Sequence, residues 1–234
     1  LAGCSGEKVT EGLDGLRERL SEYYSLGARF AKWRAVITIA DGIPSDTCIG
    51  VNAHALARYA ALCQESAMVP IVEPEVLMDG EHSLETCYDI TAKVLDCVFS
   101  ELVNQKVMLN GIILKPNMII SGTDAANRAD VAMVASATVD CLTAHVPKDV
   151  PGIAFLSGGQ TSEEATAHLS AMNELGPHPW QLSFSYGRAL QAFPLKVWAG
   201  ENENIASAQV EFLKRAKLNG LARTGSYNPQ MESA

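Results

Sequence analysis

The sequence predicts an α/β fold, and within that class a (β/α)8 TIM barrel of which this chain supplies about the last five strand–helix units. Three observations lead there. Strand-like and helix-like segments alternate along the chain, the pattern of strands joined by crossover helices. The strand runs are short and apolar or β-branched with little polar alternation, which suits strands buried on both faces of a parallel sheet. Polar residues recur at those runs with an almost even period: Lys32 to Glu73 is 41 residues, Glu73 to Lys115 is 42, and Lys115 to Ser157 is 42. No Gly-x-Gly-x-x-Gly follows the first strand run, so the period favours a barrel over a dinucleotide-binding sheet. With five strand runs in view, three more are expected to precede residue 1.

Taken in order, apolar spacings of three and four predict helices over 11–26, 53–66, 83–105, 124–146, 161–175 and 202–222. Leu13, Leu16, Leu20 and Tyr23 carry the first, and Val131, Val134, Val139 and Leu142 the fourth. Thr161-Ser-Glu-Glu164 reads as a capping box opening the fifth. Strands are expected over 33–39, 69–76, 111–118, 152–159 and 181–187. Residues 1–234 read as one barrel domain, with a polar tail over 223–234 expected to be mobile.

Composition narrows the function classes. The chain has 234 residues, 47% hydrophobic and 19% charged, enough for a substantial core. No apolar run approaches the roughly 20 residues of a membrane span, so a membrane is not an expected partner. A formal net charge of −9 argues against nucleic acid and requires that any anion site gather its cations locally. Six cysteines, Cys4, Cys48, Cys63, Cys87, Cys97 and Cys141, form no Cys-x-x-Cys pair. Those at 63, 87, 97 and 141 fall in helical patterns and read as buried free thiols of a reducing compartment. The histidines at 54, 82, 145, 168 and 178 lack metal-ligand spacing and are expected at the surface or at helix ends, so neither a metal nor another cofactor is expected.

The chemistry gathers at the strand runs. Lys32 and Arg34 flank Trp33 and share one face, as do Glu73 and Glu75. Lys115 follows Gly-Ile-Ile-Leu and precedes Pro116. Apolar surroundings and a nearby cation, for which Lys32 is the candidate, disfavour a charged ammonium and so favour the free amine that attacks a ketone. Glu73 and Glu75 are candidates for the acid and base that carbinolamine formation and dehydration need. Ser157, Gly158 and Gly159, followed by the capped helix, could cradle a phosphate with backbone N–H groups. Ser185, Gly187 and Arg188 lie at the next strand run, where the arginine adds a forked cation. In a barrel these would be the last two strands, the usual phosphate-binding place.

Five of these segments, Phe30-Ala-Lys-Trp-Arg34, Val69-Pro-Ile-Val-Glu-Pro-Glu75, Leu114-Lys-Pro-Asn-Met118, Phe155-Leu-Ser-Gly-Gly-Gln160 and Phe184-Ser-Tyr-Gly-Arg-Ala-Leu190, resemble in order and spacing the motifs of class I fructose-1,6-bisphosphate aldolases. Leu13-Asp-Gly-Leu16 and Leu56-Ala-Arg-Tyr-Ala60 are similar too, so the resemblance runs from near residue 1 to about residue 222. It implies a TIM barrel that assembles as a homotetramer. It also implies metal-free cleavage of fructose 1,6-bisphosphate to dihydroxyacetone phosphate and glyceraldehyde 3-phosphate, in glycolysis or gluconeogenesis, with a cytoplasmic or organellar location. By position, Lys115 matches the Schiff-base lysine and Glu73 the acid/base glutamate beside it. Lys32 and Glu75 match a charged pair that supports proton transfer. Arg34, Ser157, Gly158, Gly159, Ser185 and Arg188 match phosphate and substrate contacts. In that family the three strands expected before residue 1 carry an active-site aspartate and further substrate-binding cations, and many members end in a tyrosine. Ile119-Ile-Ser-Gly122 stands where animal enzymes have Val-Thr-Pro-Gly, which points to a bacterial or protist relative.

Two other readings compete. One is another Schiff-base barrel lyase, of the transaldolase or deoxyribose-phosphate aldolase kind; the paired Ser-Gly-Gly and Gly-Arg segments favour a bisphosphate over it. The other is a non-catalytic binding scaffold, for which no residue pattern speaks. A metal-dependent class II aldolase is disfavoured because no histidine falls in a strand run.

Overall fold

The computed structural model of the chain describes residues 1–233. After helix α1 (Leu16–Ser25), strand β1 (Phe30–Ile37) opens a five-stranded sheet. The rest alternates: α2 (Asp46–Glu65), β2 (Val69–Val76), α3 (Leu84–Asn104), β3 (Ile113–Leu114), α4 (Val131–His145), β4 (Gly152–Phe155), α5 (Ser162–Glu174), β5 (Gln181–Phe184), α6 (Arg188–Trp198) and α7 (Ile205–Ala222). The strands lie in sequence order and every pairing is parallel. Each crossover therefore carries the chain back over one face and advances it by one strand, the winding of a (β/α) barrel. Among the described residues the sheet is an open arc with β1 and β5 at its edges.

Burial follows the two sides of that arc. Ala35 and Ile37 of β1, Val72 and Val76 of β2, Leu114, Ile153, Phe155 and Leu182 are all buried in the core. Helix α2 covers this layer through Ala53, Leu56, Ala57, Ala60 and Cys63, a buried stripe spaced three and four apart. The Tyr59 hydroxyl donates to the Ala31 carbonyl at 2.6 Å, tying the helix to the edge strand. Small residues along the stripe let helix and sheet approach closely.

Several expected boundaries shift for local reasons. Helix α2 begins at 46 rather than 53, because the Ser45 hydroxyl accepts from the Cys48 N–H and caps it early. Helix α4 begins at 131 rather than 124, where the Asp130 carboxylate accepts from Met133 N–H. The Thr161–Glu164 capping box is present as expected. Strand β3 keeps only two ladder residues of the expected 111–118. A 3-10 turn over Leu109–Gly111 precedes it, and Pro116 has no N–H to continue it. Strands β4 and β5 end at 155 and 184, short of the expected 159 and 187. Helix α6 was not expected at all: Pro194 stands inside it and reads in sequence as a break.

Residues 223–233, expected to be mobile, are docked on α7. Tyr227 is buried, and Glu232 in the 3-10 turn Pro229–Ser233 accepts from Arg215 Nη1 at 2.6 Å. The same expectation for Ala234 lies outside the described residues. The six cysteines are free; Cys48, Cys63, Cys87 and Cys141 are buried, while Cys4 and Cys97 are half-buried.

Leu56 is fully buried between α2 and the sheet. Leu56→Ala should therefore cost about 2 to 5 kcal/mol of unfolding free energy, read as a lowered urea midpoint at unchanged slope.

Candidate active site

Parallel register sets the site. Arg34 stands opposite Glu73 and Val36 opposite Glu75, and Val72 stands opposite Leu114. Lys115, one residue past the β3 ladder, still donates its backbone N–H to Val72 O at 2.7 Å, which places its side chain beside Glu73. The Glu73 carboxylate, 4% exposed, contacts two ammonium groups: Lys115 Nζ at 2.9 Å on Oε1 and Lys32 Nζ at 2.8 Å on Oε2. Lys115 is almost as buried at 11%, whereas Lys32 on the edge strand is 43% exposed. A carboxylate so removed from water needs cations close by, and here it has one on each oxygen.

The ion pairs are crossed relative to expectation. Lys32 reaches Glu73 and not Glu75, while Glu75 is paired with the Arg34 Nε. The hydrogen bond that Arg34 Nε donates to Glu75 holds the guanidinium still more firmly charged. Lys32 and Lys115 share the Glu73 carboxylate between them. The cause is the register: Lys32 lies opposite Ile71, two residues before Glu73 on the same face of β2.

Beyond the β3 ladder, Asn117 takes over the connection between strands. Its Oδ1 accepts from the Val76 N–H at 3.1 Å, and its Nδ2 donates to Thr91 Oγ1 and Met118 O at 3.1 Å each. This buried amide fixes the end of β2, with its two glutamates, to the segment carrying Lys115. Farther out, three backbone hydrogen bonds zip the loop after β2 to the loop after Lys115: Gly122 N–H to His82 O, Thr123 N–H to Met78 O, and Asp124 N–H to Gly80 O. A Cβ at Gly122 would overlap the Gly80 carbonyl, so the zipper requires glycine there.

The Ser157–Gly159 segment forms a turn between β4 and α5. Gly158 adopts φ 54°, a left-handed conformation natural to glycine. The turn is clamped by carbonyl contacts. Gln160 donates through its backbone and its Nε2 to Ser157 O at 3.1 and 3.0 Å, and Arg188 Nη2 donates to Gly158 O at 2.9 Å. Arg188 is the first residue of α6 and Gly187 its N-cap, so the Ser185–Arg188 segment is a helix N-terminus as well as a strand end. Ser157 and Gln160 are buried. Thus the structure brings Lys32, Glu73 and Lys115 into one cluster, sets Arg34 and Glu75 beside it, and joins Ser157, Gly158 and Arg188 in a second cluster on the neighbouring strands.

Sequence reasoning placed His168 at the surface or a helix end; it is buried within α5. Its Nδ1 lies 2.6 Å from Gln160 Oε1, which orients the glutamine whose amide holds the turn. Asn117 and Gln160 were visible only as letters in their motifs, and a lone histidine at helical spacing carries no sign of its partner. Among the described residues, no three His, Cys, Asp or Glu side chains are grouped as metal ligands, and no helix is long and apolar enough to cross a membrane.

Burial pushes the His168 imidazole down to about 4. The unfolded chain binds its proton near 6.5, so stability contributed by the neutral ring is complete above that pH and falls as pH drops toward 4. Comparing unfolding free energies at pH 7 and 4.5, the difference between the natural chain and His168→Gln should shrink by about 2 kcal/mol; a pH-independent difference would refute a buried neutral imidazole.

With this geometry established, comparisons with known proteins place it. A family model described as fructose-bisphosphate aldolase class-I matches residues 1–234. A Xanthomonas campestris protein named a probable class 1 fructose-bisphosphate aldolase is 60% identical over 228 residues, 97% of this chain and 68% of that protein. A cytosolic fructose-bisphosphate aldolase of Arabidopsis thaliana is 51% identical over 97% of this chain and 58% of its own length. Among solved structures, the Plasmodium falciparum fructose-bisphosphate aldolase, in complex with TRAP and a small-molecule inhibitor, superposes with a TM-score of 0.96. It is 50% identical over 97% of this chain and 66% of that one. The chain thus spans about two thirds of the length of such relatives.

Proposed function

The chain belongs to the class I fructose-bisphosphate aldolase family, and from that premise we propose that the protein reversibly cleaves fructose 1,6-bisphosphate to dihydroxyacetone phosphate and glyceraldehyde 3-phosphate through a Schiff base on Lys115. The observation that carries the residue assignment is the 2.9 Å contact between a buried lysine and a buried glutamate. A proton passed from Lys115 to Glu73 leaves a free amine to attack the ketone carbon. Glu73, returning the proton to the carbinolamine oxygen, assists its loss as water. The resulting iminium accepts the electron pair of the bond between the third and fourth carbons as that bond breaks, and the fourth-carbon hydroxyl gives its proton to the Glu73 carboxylate as it leaves as the aldehyde. Protonation of the enamine and addition of water then release dihydroxyacetone phosphate and restore the amine. Lys32 balances the charge of Glu73 during these transfers, and Glu75 holds Arg34 toward the substrate side.

In this reading Ser157, Gly158, Gly159, Ser185, Gly187 and Arg188 bind a phosphate. Support comes from a left-handed glycine turn, the N-termini of α5 and α6, and a forked guanidinium within reach of the turn. We read residues 1–234 as a single aldolase-type barrel domain, in keeping with the unbroken strand order. A homotetramer is the assembly this reading carries. Exposed Leu195, Trp198, Val210, Phe212 and Leu213 on α6 and α7 supply apolar surface for a subunit contact. A cytoplasmic place in glycolysis or gluconeogenesis fits the cytosolic relative.

Borohydride reduction in the presence of dihydroxyacetone phosphate tests the assignment, using the protein expressed from its complete gene. The adduct is expected on the peptide carrying Lys115, and Lys115→Met should abolish it and lower kcat by about a thousandfold or more. The variant should fold, since Glu73 keeps Lys32 as its partner. Trapping on another lysine would overturn the assignment. EDTA should leave activity unchanged; inhibition by EDTA that zinc reverses would overturn the mechanism.

A further inference from the structure

His168 and Gln160 form a buried pair behind the turn between β4 and α5. The imidazole Nδ1 stands 2.6 Å from the Gln160 Oε1. On its other side the Gln160 amide donates from Nε2 to Ser157 O at 3.0 Å, and the Gln160 backbone N–H donates to the same oxygen at 3.1 Å. These contacts fix each other's hydrogens. A carbonyl oxygen only accepts, so the NH2 end of the amide faces Ser157 and its oxygen faces the ring. The ring therefore carries a proton on Nδ1. Burial keeps the imidazole neutral, so this is its one N–H. A proton on Nε2 instead would leave Nδ1 an acceptor facing the amide oxygen. That would favour a flipped amide, with Oε1 set against the Ser157 carbonyl.

Peptide geometry carries this clamp to the donors of the turn. The Ser157–Gly158 peptide is trans, so its N–H points opposite to its C=O. Holding the Ser157 carbonyl toward Gln160 thus fixes the direction of the Gly158 N–H. Among the described residues, that N–H has no backbone acceptor. The clamp is needed because Gly158, at φ 54°, has no side chain to restrict rotation of the peptide.

We propose that His168 is a positioning residue for phosphate recognition: its Nδ1–H holds the Gln160 amide in the orientation that clamps the Ser157 carbonyl, and through that peptide it sets the Gly158 N–H for the substrate phosphate. The inference rests on the reading of this turn and Arg188 as the phosphate site. Without the imidazole donor the Gln160 amide loses the partner of its oxygen. The amide then rotates, and the Ser157–Gly158 peptide is left with the backbone N–H of Gln160 alone.

The test measures borohydride trapping in the protein expressed from its complete gene, comparing His168→Leu, His168→Asn, Gln160→Met and Arg188→Ala. Two ketones are used: dihydroxyacetone phosphate, and dihydroxyacetone, which lacks the phosphate. Leucine offers no donor, so in His168→Leu the half-saturating concentration of the phosphorylated ketone should rise about tenfold, the effect of losing one well-placed hydrogen bond. That of dihydroxyacetone should stay within about twofold. Asparagine carries its amide nitrogen as many bonds from the backbone as Nδ1, so His168→Asn should recover most of the phosphate preference. Gln160→Met removes the side-chain clamp itself, and adding His168→Leu to it should cause no further loss, because the two groups act in series. Equal weakening for both ketones, no change in His168→Leu, no recovery in His168→Asn, additive losses in the double variant, or failure of both His168 variants to fold would assign the pair to packing alone and overturn the inference. Arg188→Ala separates the levels. If it leaves the phosphorylated ketone unaffected, the phosphate-site reading itself fails; if it weakens that ketone while His168→Leu does not, only the role of His168 fails.

Discussion

A carboxylate taken almost entirely out of water must be matched by charge, and Glu73 is the group on which the rest of this site depends. It has two cationic partners, one buried and one at the sheet edge, and the asymmetry is useful. Lys115 is shielded, so its contact with Glu73 is strong and directional. Lys32 is half in solvent and can adjust without unsettling the core. A proton passed between Lys115 and Glu73 leaves their net charge at zero, and Lys32 adds one partly solvated positive charge in either arrangement.

The second cluster is built on different physics. The Ser157–Gly159 turn is held by its carbonyls, with Gln160 and Arg188 donating to them and a neutral histidine behind Gln160. Bonds made through carbonyls do not use up a turn's N–H groups, the donors an anion requires. In a chain with a net charge of −9, overall attraction cannot draw a phosphate in. Local cations have to overcome a repulsive background, and Arg188 is the one in contact with the turn.

What could be read in the sequence follows from how each feature is encoded. Strands buried on both faces show as unbroken apolar runs, so the five strands and their order were legible. The buried charges were legible because a lysine or glutamate inside such a run is costly and therefore conspicuous. Helix α6 was hidden by Pro194, whose cost the tertiary setting absorbs. The short ladder of β3 was hidden because Pro116 ends it while Asn117 supplies the missing connection through a side chain. His168, Gln160 and Asn117 share one difficulty: each acts through individual side-chain hydrogen bonds, and such contacts leave no periodic trace.

The same distinction explains why the site is precise although it is drawn from five neighbouring strands. Backbone ladders fix adjacent strands but stop short of the loops that carry chemistry: the β2–β3 ladder covers two residues, and the β3–β4 ladder one. Past those points, position must be transmitted by side chains. Asn117 carries it from β2 to the Lys115 segment, Leu156 N–H to Pro116 O continues it at 3.2 Å, and Arg188 carries it from α6 back to the turn. Each link joins units adjacent in the arc, so the placement of the amine relative to the anion turn is relayed from neighbour to neighbour. Met78 at the end of β2 also packs beside the glycines of the turn after β4. Such a relay has to be tight at every link, since reaction of a bound ketone with a single amine tolerates displacement of only about 1 Å.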